Sequence, residues 1–296
     1  MTLISVILIL LSSFFHAWWN YYSKASRSTQ LFFFWTGTFT AGVAIATFMI
    51  KPLIVPRSVW VYIIASGLVH WAYWFSLSRA YTLGEISYVY PISRSAPGFI
   101  PLFALLFLRE TISAQGLVGI LCIVFSIYLL QQRGNGMAFR ELIQYMRQPD
   151  AVWAFLTLGT VIAYSLIDKG GMSEFHAHST QPPVWRAITY YLVEGVVAFV
   201  FYGGYIIFRF PRKEITDIGC LEWKPIVATG SLAMISYTLI LYVMMTEKVS
   251  YVVALRQCSV IFAVLFGAYV MKESHAKLRL TAAVVMVIGM VLTSTA

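Results

Sequence analysis

The sequence predicts an all-α membrane protein: ten transmembrane helices in two inverted-topology repeats of five. Three observations predict it. The 296 residues are 59% hydrophobic and 11% charged, whereas soluble domains average about 45–50% apolar and about 25% charged residues. Apolar runs recur from end to end, each close to the roughly 20 helical residues that cross about 30 Å of hydrocarbon. The chain also repeats itself at a shift of 163 residues.

The runs place spans at 2–22, 31–50, 58–80, 86–108, 114–131, 151–168, 184–208, 224–246, 249–271 and 278–295. A membrane β-barrel would instead show short segments of alternating polarity. The first run has no basic n-region or small-residue cleavage site and exceeds the length of a signal-peptide core, so it is expected to remain as a span. Residues 132–150 form a linker: a Gly-Asn-Gly turn, then Phe139, Leu142, Ile143 and Met146 at helical spacing, which predicts a short interfacial helix. The three cysteines lack metal-box or disulfide spacing, and the net charge of +9 sits mainly in loops, where topology and anionic lipid account for it. Nucleic-acid binding is therefore excluded as a function class. The Lys/Arg balance between the two sides places both termini outside the cytoplasm.

The shift of 163 lays Trp60–Leu129 over Trp223–Leu292 without a gap. It superposes Ser87-Tyr88-Val89 on Ser250-Tyr251-Val252, Leu102-Phe103 on Leu265-Phe266, and Glu110 on Glu273. A looser match sets His16–Lys24 over Val161–Lys169. The repeating unit is thus five spans, and an odd number makes the second copy enter the membrane from the opposite side. The expected domains are 1–131 and 151–296.

Charges inside lipid cost at least about 2.5–3.5 kcal/mol on insertion scales, so each calls for a partner or a purpose. Arg94 lies about a third of the way into the fourth span and Arg256 at nearly the same depth in the ninth. They are one residue out of register, since Arg94 overlays Gln257. Two guanidiniums converging between the halves would suit a carboxylate or phosphate, which their planar forks bind bidentately. Glu194 is the carboxylate clearly placed at midplane depth, a counter-ion or a proton carrier. Pro91, Pro97 and Pro101 either break the fourth helix around Arg94 or bend it for packing. Trp71, Trp74 and Tyr237 lie deep enough to line a cavity; most other aromatics read as interfacial anchors. His70 reads as a satisfied core histidine, and His16 as a proton site or cavity donor. His176 and His178 lack the carboxylate or thiolate partners of a metal site.

Three segments carry a resemblance: HAWWNYYSK in span 1, SYVYPISRSAP…FLRE in span 4 and SYVVALRQCSV…VMKE in span 9. With the duplication, they make the chain resemble the drug/metabolite transporter superfamily, in particular its ten-helix EamA-type branch. Arg109 and Lys272 stand where many relatives have glycine. The resemblance implies a central cavity between the halves and alternating-access movement of a small metabolite across the cytoplasmic (inner) membrane. The candidate substrate contacts are Arg94, Arg256, Asn20, Trp19, Lys24, Trp71, Trp74, Tyr90, Tyr237 and Gln257, with Glu194 and His16 as proton carriers or counter-ions. The expected cargo is an anionic or zwitterionic metabolite: an amino acid, organic acid, sugar phosphate or phosphonate. A proton or an exchanged solute is the expected coupling partner. The alternative is an organic cation or quaternary amine held in an aromatic cage. A membrane-embedded enzyme is the distant rival, and no G-x-S-x-G, H-E-x-x-H or aspartate-rich cluster supports it. No cofactor or metal is expected, and a monomer suffices, with a dimer open.

Overall fold

The computed structural model describes residues 1–83, 89, 92–131, 146–149, 151–259 and 276–296, apart from the side chains of residues 24, 130, 131 and 276–280. Among these residues the structure is helical throughout: α1 Leu3–Ala25, α2 Thr29–Ile50, α3 Trp60–Leu83, α4 Ala96–Leu108, α5 Ala114–Gln131, α6 Ala151–Ala177, α7 Pro183–Arg209, α8 Arg212–Leu221, α9 Trp223–Met244, α10 Val249–Arg256 and α11 Ala276–Ser294. Five of them, α1, α2, α6, α7 and α9, are long and apolar enough to cross a membrane, and α4, α5 and α11 contain shorter apolar helices. Local chemistry sets the ends. The Thr2 hydroxyl accepts from Ser5 N at 3.1 Å and starts α1, Pro183 stands in the first turn of α7 where its missing N–H costs nothing, and Arg109 closes α4 in the left-handed region at φ 54°.

Large apolar side chains such as Ile45, Phe48, Leu105, Phe107, Phe201 and Phe208 point outward, while Ser12, Ser66, Asp168, Glu194 and Ser236 are buried. That inversion of a soluble protein suits a lipid solvent. With no hydrophobic drive between helices in lipid, close backbone approach and side-chain hydrogen bonds must hold them. Both are present. Ser12 Oγ donates to Ser236 O at 2.7 Å, and Ser236 Oγ donates back to Ser12 O at 2.9 Å, joining α1 to α9. Gly119 and Gly289 let α5 and α11 touch: a Cβ on either would sit 2.7 Å from the other's carbonyl oxygen.

The partners follow a pattern. Helix α1 packs on α9 and α3 on α6, α2 lies against α7, α5 against α11, and α4 against α10. Exchanging α1–α5 with α6, α7, α9, α10 and α11 in order maps this set of pairs onto itself. The shift of 163 also carries the bounds of α3 (60–83) close to those of α9 (223–244), and α5 (114–131) close to α11 (276–294).

Three expectations need correction or fall elsewhere. The sixth span does not end at residue 168; α6 runs on to Ala177. Gly170 and Gly171 lie inside the bundle against Tyr62 and Tyr190, with no room for a Cβ. The segment after α7, read as loop, forms α8, whose Ile215 and Ile218 are buried and whose Ile215 carbonyl accepts from Trp35 Nε1 at 2.8 Å. The linker helix falls on residues 132–145 and 150, outside those described, and the later part of the ninth span does too.

Replacing Gly119 or Gly289 with leucine should lower the melting temperature of detergent-purified protein, corresponding to about 1–3 kcal/mol of overpacking. Gly159→Leu, at a position with nothing within 4 Å of an added Cβ, should change it little.

Candidate functional site

Seven helices, α1, α2, α3, α6, α7, α9 and α10, wall a cavity of about 100 Å³, room for several waters or a small solute. His16, Trp19, Thr36, Thr40, His70, Tyr73, Trp74, Tyr164, Tyr191, Glu194, Tyr237 and Arg256 line it. A second hollow of about 40 Å³ adjoins it, sharing His16, Tyr73, Tyr164 and Arg256 and adding Asn20, Ser93, Arg94, Ser165 and Gln257. No carboxylate of the described residues lines this second hollow.

Both arginines stand where a helix breaks. Residues 92–94 are helical, Ser95 leaves helical geometry at ψ 0°, and α4 restarts at Ala96 with Pro97 in its first turn. Within α4, Pro101 removes the donor that would have met the Pro97 carbonyl. Helix α10 ends at Arg256, whose carbonyl accepts from Ser13 Oγ of α1 at 3.2 Å. The two guanidiniums meet at one imidazole. Arg94 Nη1 lies 3.1 Å from His16 Nε2, and Arg256 Nη2 lies 3.2 Å from His16 Nδ1. Trp19 Nε1 also donates to Nδ1, at 3.0 Å.

This set has more donors than acceptors. Guanidinium and indole only donate, and an imidazole that accepts at Nδ1 carries its hydrogen at Nε2, where it faces Arg94. Arg256 stacks over the Tyr237 ring at 5.1 Å from its centroid, and its Nε is buried without a partner among the described residues. Donors from both arginines, Trp19 and His16 therefore converge at the seam of the two hollows, a composition suited to an anion.

A second polar cluster lies on the other wall. Asp168 is fully buried and accepts hydrogen bonds from Ser66 Oγ, from Tyr237 Oη and, at 3.1 Å, from Tyr190 Oη. His70 Nδ1 sits 2.8 Å from Glu194 Oε1. Its ring stacks on Tyr164 with centroids 4.2 Å apart. Asp168 was missed by the sequence reading because Asp-Lys-Gly-Gly resembles a span exit. The missed signal is the register that sets Ser23 of span 1 over Asp168, a polar position inside the repeat.

The remaining candidates separate. Trp19, Trp74 and Tyr237 line the larger cavity, and Asn20 and Gln257 the smaller; Asn20 Nδ2 donates to His16 O at 2.7 Å. Trp71 does not join them: it packs against Phe201, 6.2 Å between ring centroids. Glu194 lines the larger cavity together with Arg256, and its Oε1 sits 2.8 Å from His70 Nδ1. His70 is satisfied, as a core histidine would be, yet it also faces the cavity. Tyr90 and the Lys24 side chain lie outside the described residues.

The smaller hollow takes its lining in equivalent pairs: Ser93 with Arg256 and Arg94 with Gln257 at the shift of 163, and His16 with Val161 and Asn20 with Ser165 in the looser register. Residues 3–131 match the EamA-like transporter family, ending where α5 ends. A curated relative described as an uncharacterized transporter in a cobO 3′ region, from Sinorhizobium sp, is 30% identical over 80 residues. That stretch is 27% of this chain and spans only 57% of the relative's length. A crystal structure of a protein 19% identical in sequence superposes with a TM-score of 0.71, covering 99% of this chain and 96% of its own, a likeness of fold. The matched residues 3–131 include His16, Trp19, Asn20, His70, Trp74 and Arg94; Asp168, Glu194, Tyr237 and Arg256 lie beyond them.

Asp168→Leu should be strongly destabilising, because it strands three buried hydroxyls that now share one carboxylate, at about 1–3 kcal/mol for each unsatisfied group. Asp168→Asn retains an acceptor and should fall between it and the native chain. Melting temperatures of the purified proteins check the order.

Proposed function

We propose that this chain is a secondary transporter or exchanger that moves a small anionic or zwitterionic metabolite across the cytoplasmic membrane by alternating access between two opposed five-helix halves. The observation that carries the reading is the meeting of Arg94 and Arg256, one from each half and each at a helix break, on the two ring nitrogens of His16. Several features support it. The pairings α1–α9 and α3–α6, α2–α7, α5–α11 and α4–α10 exchange into one another when the halves are exchanged, as expected of two packings of similar energy that expose one site to either side in turn. Broken helices beside the site leave backbone groups free to meet a polar solute, which membrane proteins tolerate only next to a cavity or buried protein. The EamA-like match agrees with a transport role. Trp19, Trp74, Tyr73 and Tyr164 form walls that select size, and Asn20 lies within the smaller hollow to hydrogen-bond the cargo.

A ligand that binds only the folded protein raises its apparent melting temperature. Detergent-purified protein screened against small carboxylates, phosphates, amino acids and quaternary amines should be stabilised by members of the anionic or zwitterionic sets. Arg94→Gln and Arg256→Gln should each weaken that binding about tenfold or more, as expected for a lost charged hydrogen bond of about 1.5–3 kcal/mol. Counterflow of the same solute in liposomes should fall in parallel. Stabilisation by quaternary amines alone, unaffected in both variants, would contradict the reading.

A further inference from the structure

We propose that His70 is a proton-binding site on the wall of the same cavity, and that a proton there and an anion at the arginines bind cooperatively. The inference names a coupling ion for the site just proposed and so rests, for its second half, on that reading.

The hydrogen bonds define how this imidazole is used. Nδ1 lies 2.8 Å from Glu194 Oε1 and 3.2 Å from the carbonyl oxygen of Ser66. A carbonyl oxygen can only accept, so the contact with Ser66 O calls for a hydrogen on Nδ1 in both the neutral and the charged ring. Gain and loss of a proton are thereby confined to Nε2. Ser66 Oγ, 3.2 Å from Nδ1, donates to Asp168 and so joins the ring to a second carboxylate. One imidazole is thus connected to two buried carboxylates, directly through Glu194 and through a hydroxyl to Asp168.

The groups facing His70 come from every element packed around it. Helix α3 supplies Ser66 and Tyr73, α6 supplies Tyr164 and Asp168, α7 supplies Tyr190 and Glu194, and α9 supplies Tyr237. Across the cavity stand His16 and Arg256. Tyr164 lies flat on the ring at 4.2 Å, and an aromatic face attracts a cation. The step needs no co-reactant: a proton from cavity water binds the Nε2 lone pair, and the ring changes from neutral to +1. Its effect on the other pole follows from Coulomb's law. A positive charge added within the cavity strengthens anion binding at Arg94 and Arg256, by about tenfold for charges about 10 Å apart at an effective dielectric near 20. By linkage, anion binding then draws in a proton.

The test uses the full chain in detergent micelles with ¹⁵N-labelled histidine, followed by imidazole NMR. There are five histidines in the sequence, and the His70 signals are those lost in His70→Gln, or those left after each of the other four is replaced. Between about pH 8 and pH 5, the window in which imidazoles change charge, Nδ1 should stay protonated while Nε2 gains its proton. A ring that keeps one state throughout, or that titrates at Nδ1, overturns the proton site and leaves the arginine reading standing. Inorganic sulfate, whose charge is constant over this range, probes the coupling. It should bind about tenfold more tightly at the acid end and draw protons from lightly buffered solution. Both effects should vanish in His70→Gln, while Arg256→Gln should lose sulfate binding and keep the Nε2 titration. Sulfate affinity that is the same at both ends of the range, or an absence of sulfate binding, with Nε2 titrating normally, overturns the cooperativity.

Discussion

Two guanidinium groups brought to a single imidazole in the interior of a membrane protein are the constraint on which the rest of this structure turns. Neither arginine can be left there cheaply, since the insertion cost of each is at least about 2.5 kcal/mol and neighbouring like charges add to it. The bundle answers with space: a cavity whose lining is polar on two sides and aromatic between them. Arginine and carboxylate side chains line the same hollow. Glu194 is turned to His70, and Arg256 to His16 and the face of Tyr237. Separation of this kind leaves a field across the cavity, and a field is what orients a small charged solute.

Helix breaks bring the arginines to that place. A continuous helix satisfies its own backbone and presents a side chain only sideways. At Ser95 and Gln257 the regular ladder stops, and each arginine stands at the last residue of a short helical segment beside the hollows. Elsewhere the contacts are short and apolar or use small residues, as at Gly119 against Gly289 and Ser12 against Ser236. Between α4 and α10 there is also a polar tie: Glu110, after the end of α4, accepts from Val249 N at 2.9 Å and from Ser250 Oγ at 3.2 Å. It thereby caps the start of α10 with a negative charge, where the helix dipole favours one. Glu110 thus anchors the start of the helix that carries Arg256.

Much of this was legible in the sequence, because lipid leaves a strong mark on it. Spans appear as long apolar runs, and an intramembrane arginine announces itself by its cost, so the elements and the two cations could be named. What could not be read was phase. Trp71 and Trp74 differ by less than one turn, yet only Trp74 reaches the cavity while Trp71 packs on Phe201. Asp168 was concealed for a related reason. Hydropathy treats Asp-Lys-Gly-Gly as an exit from the membrane, whereas here the glycines permit tight packing on Tyr62 and Tyr190 and the aspartate is satisfied by hydroxyls from three other helices. Those donors lie about 22, 69 and 102 positions away in sequence and no local pattern connects them. Pairing is likewise a tertiary property: Glu194 read as a partner for the arginines because nothing in one dimension showed that His70 lies closer.

Anomalous diffraction from crystals soaked in selenate tests the central claim most directly. The account predicts an anion peak at the seam of the two hollows, within hydrogen-bonding distance of both the Arg94 and Arg256 guanidiniums and beside His16. A cavity without such a peak, with both guanidiniums capped by carboxylates of the chain, would contradict it.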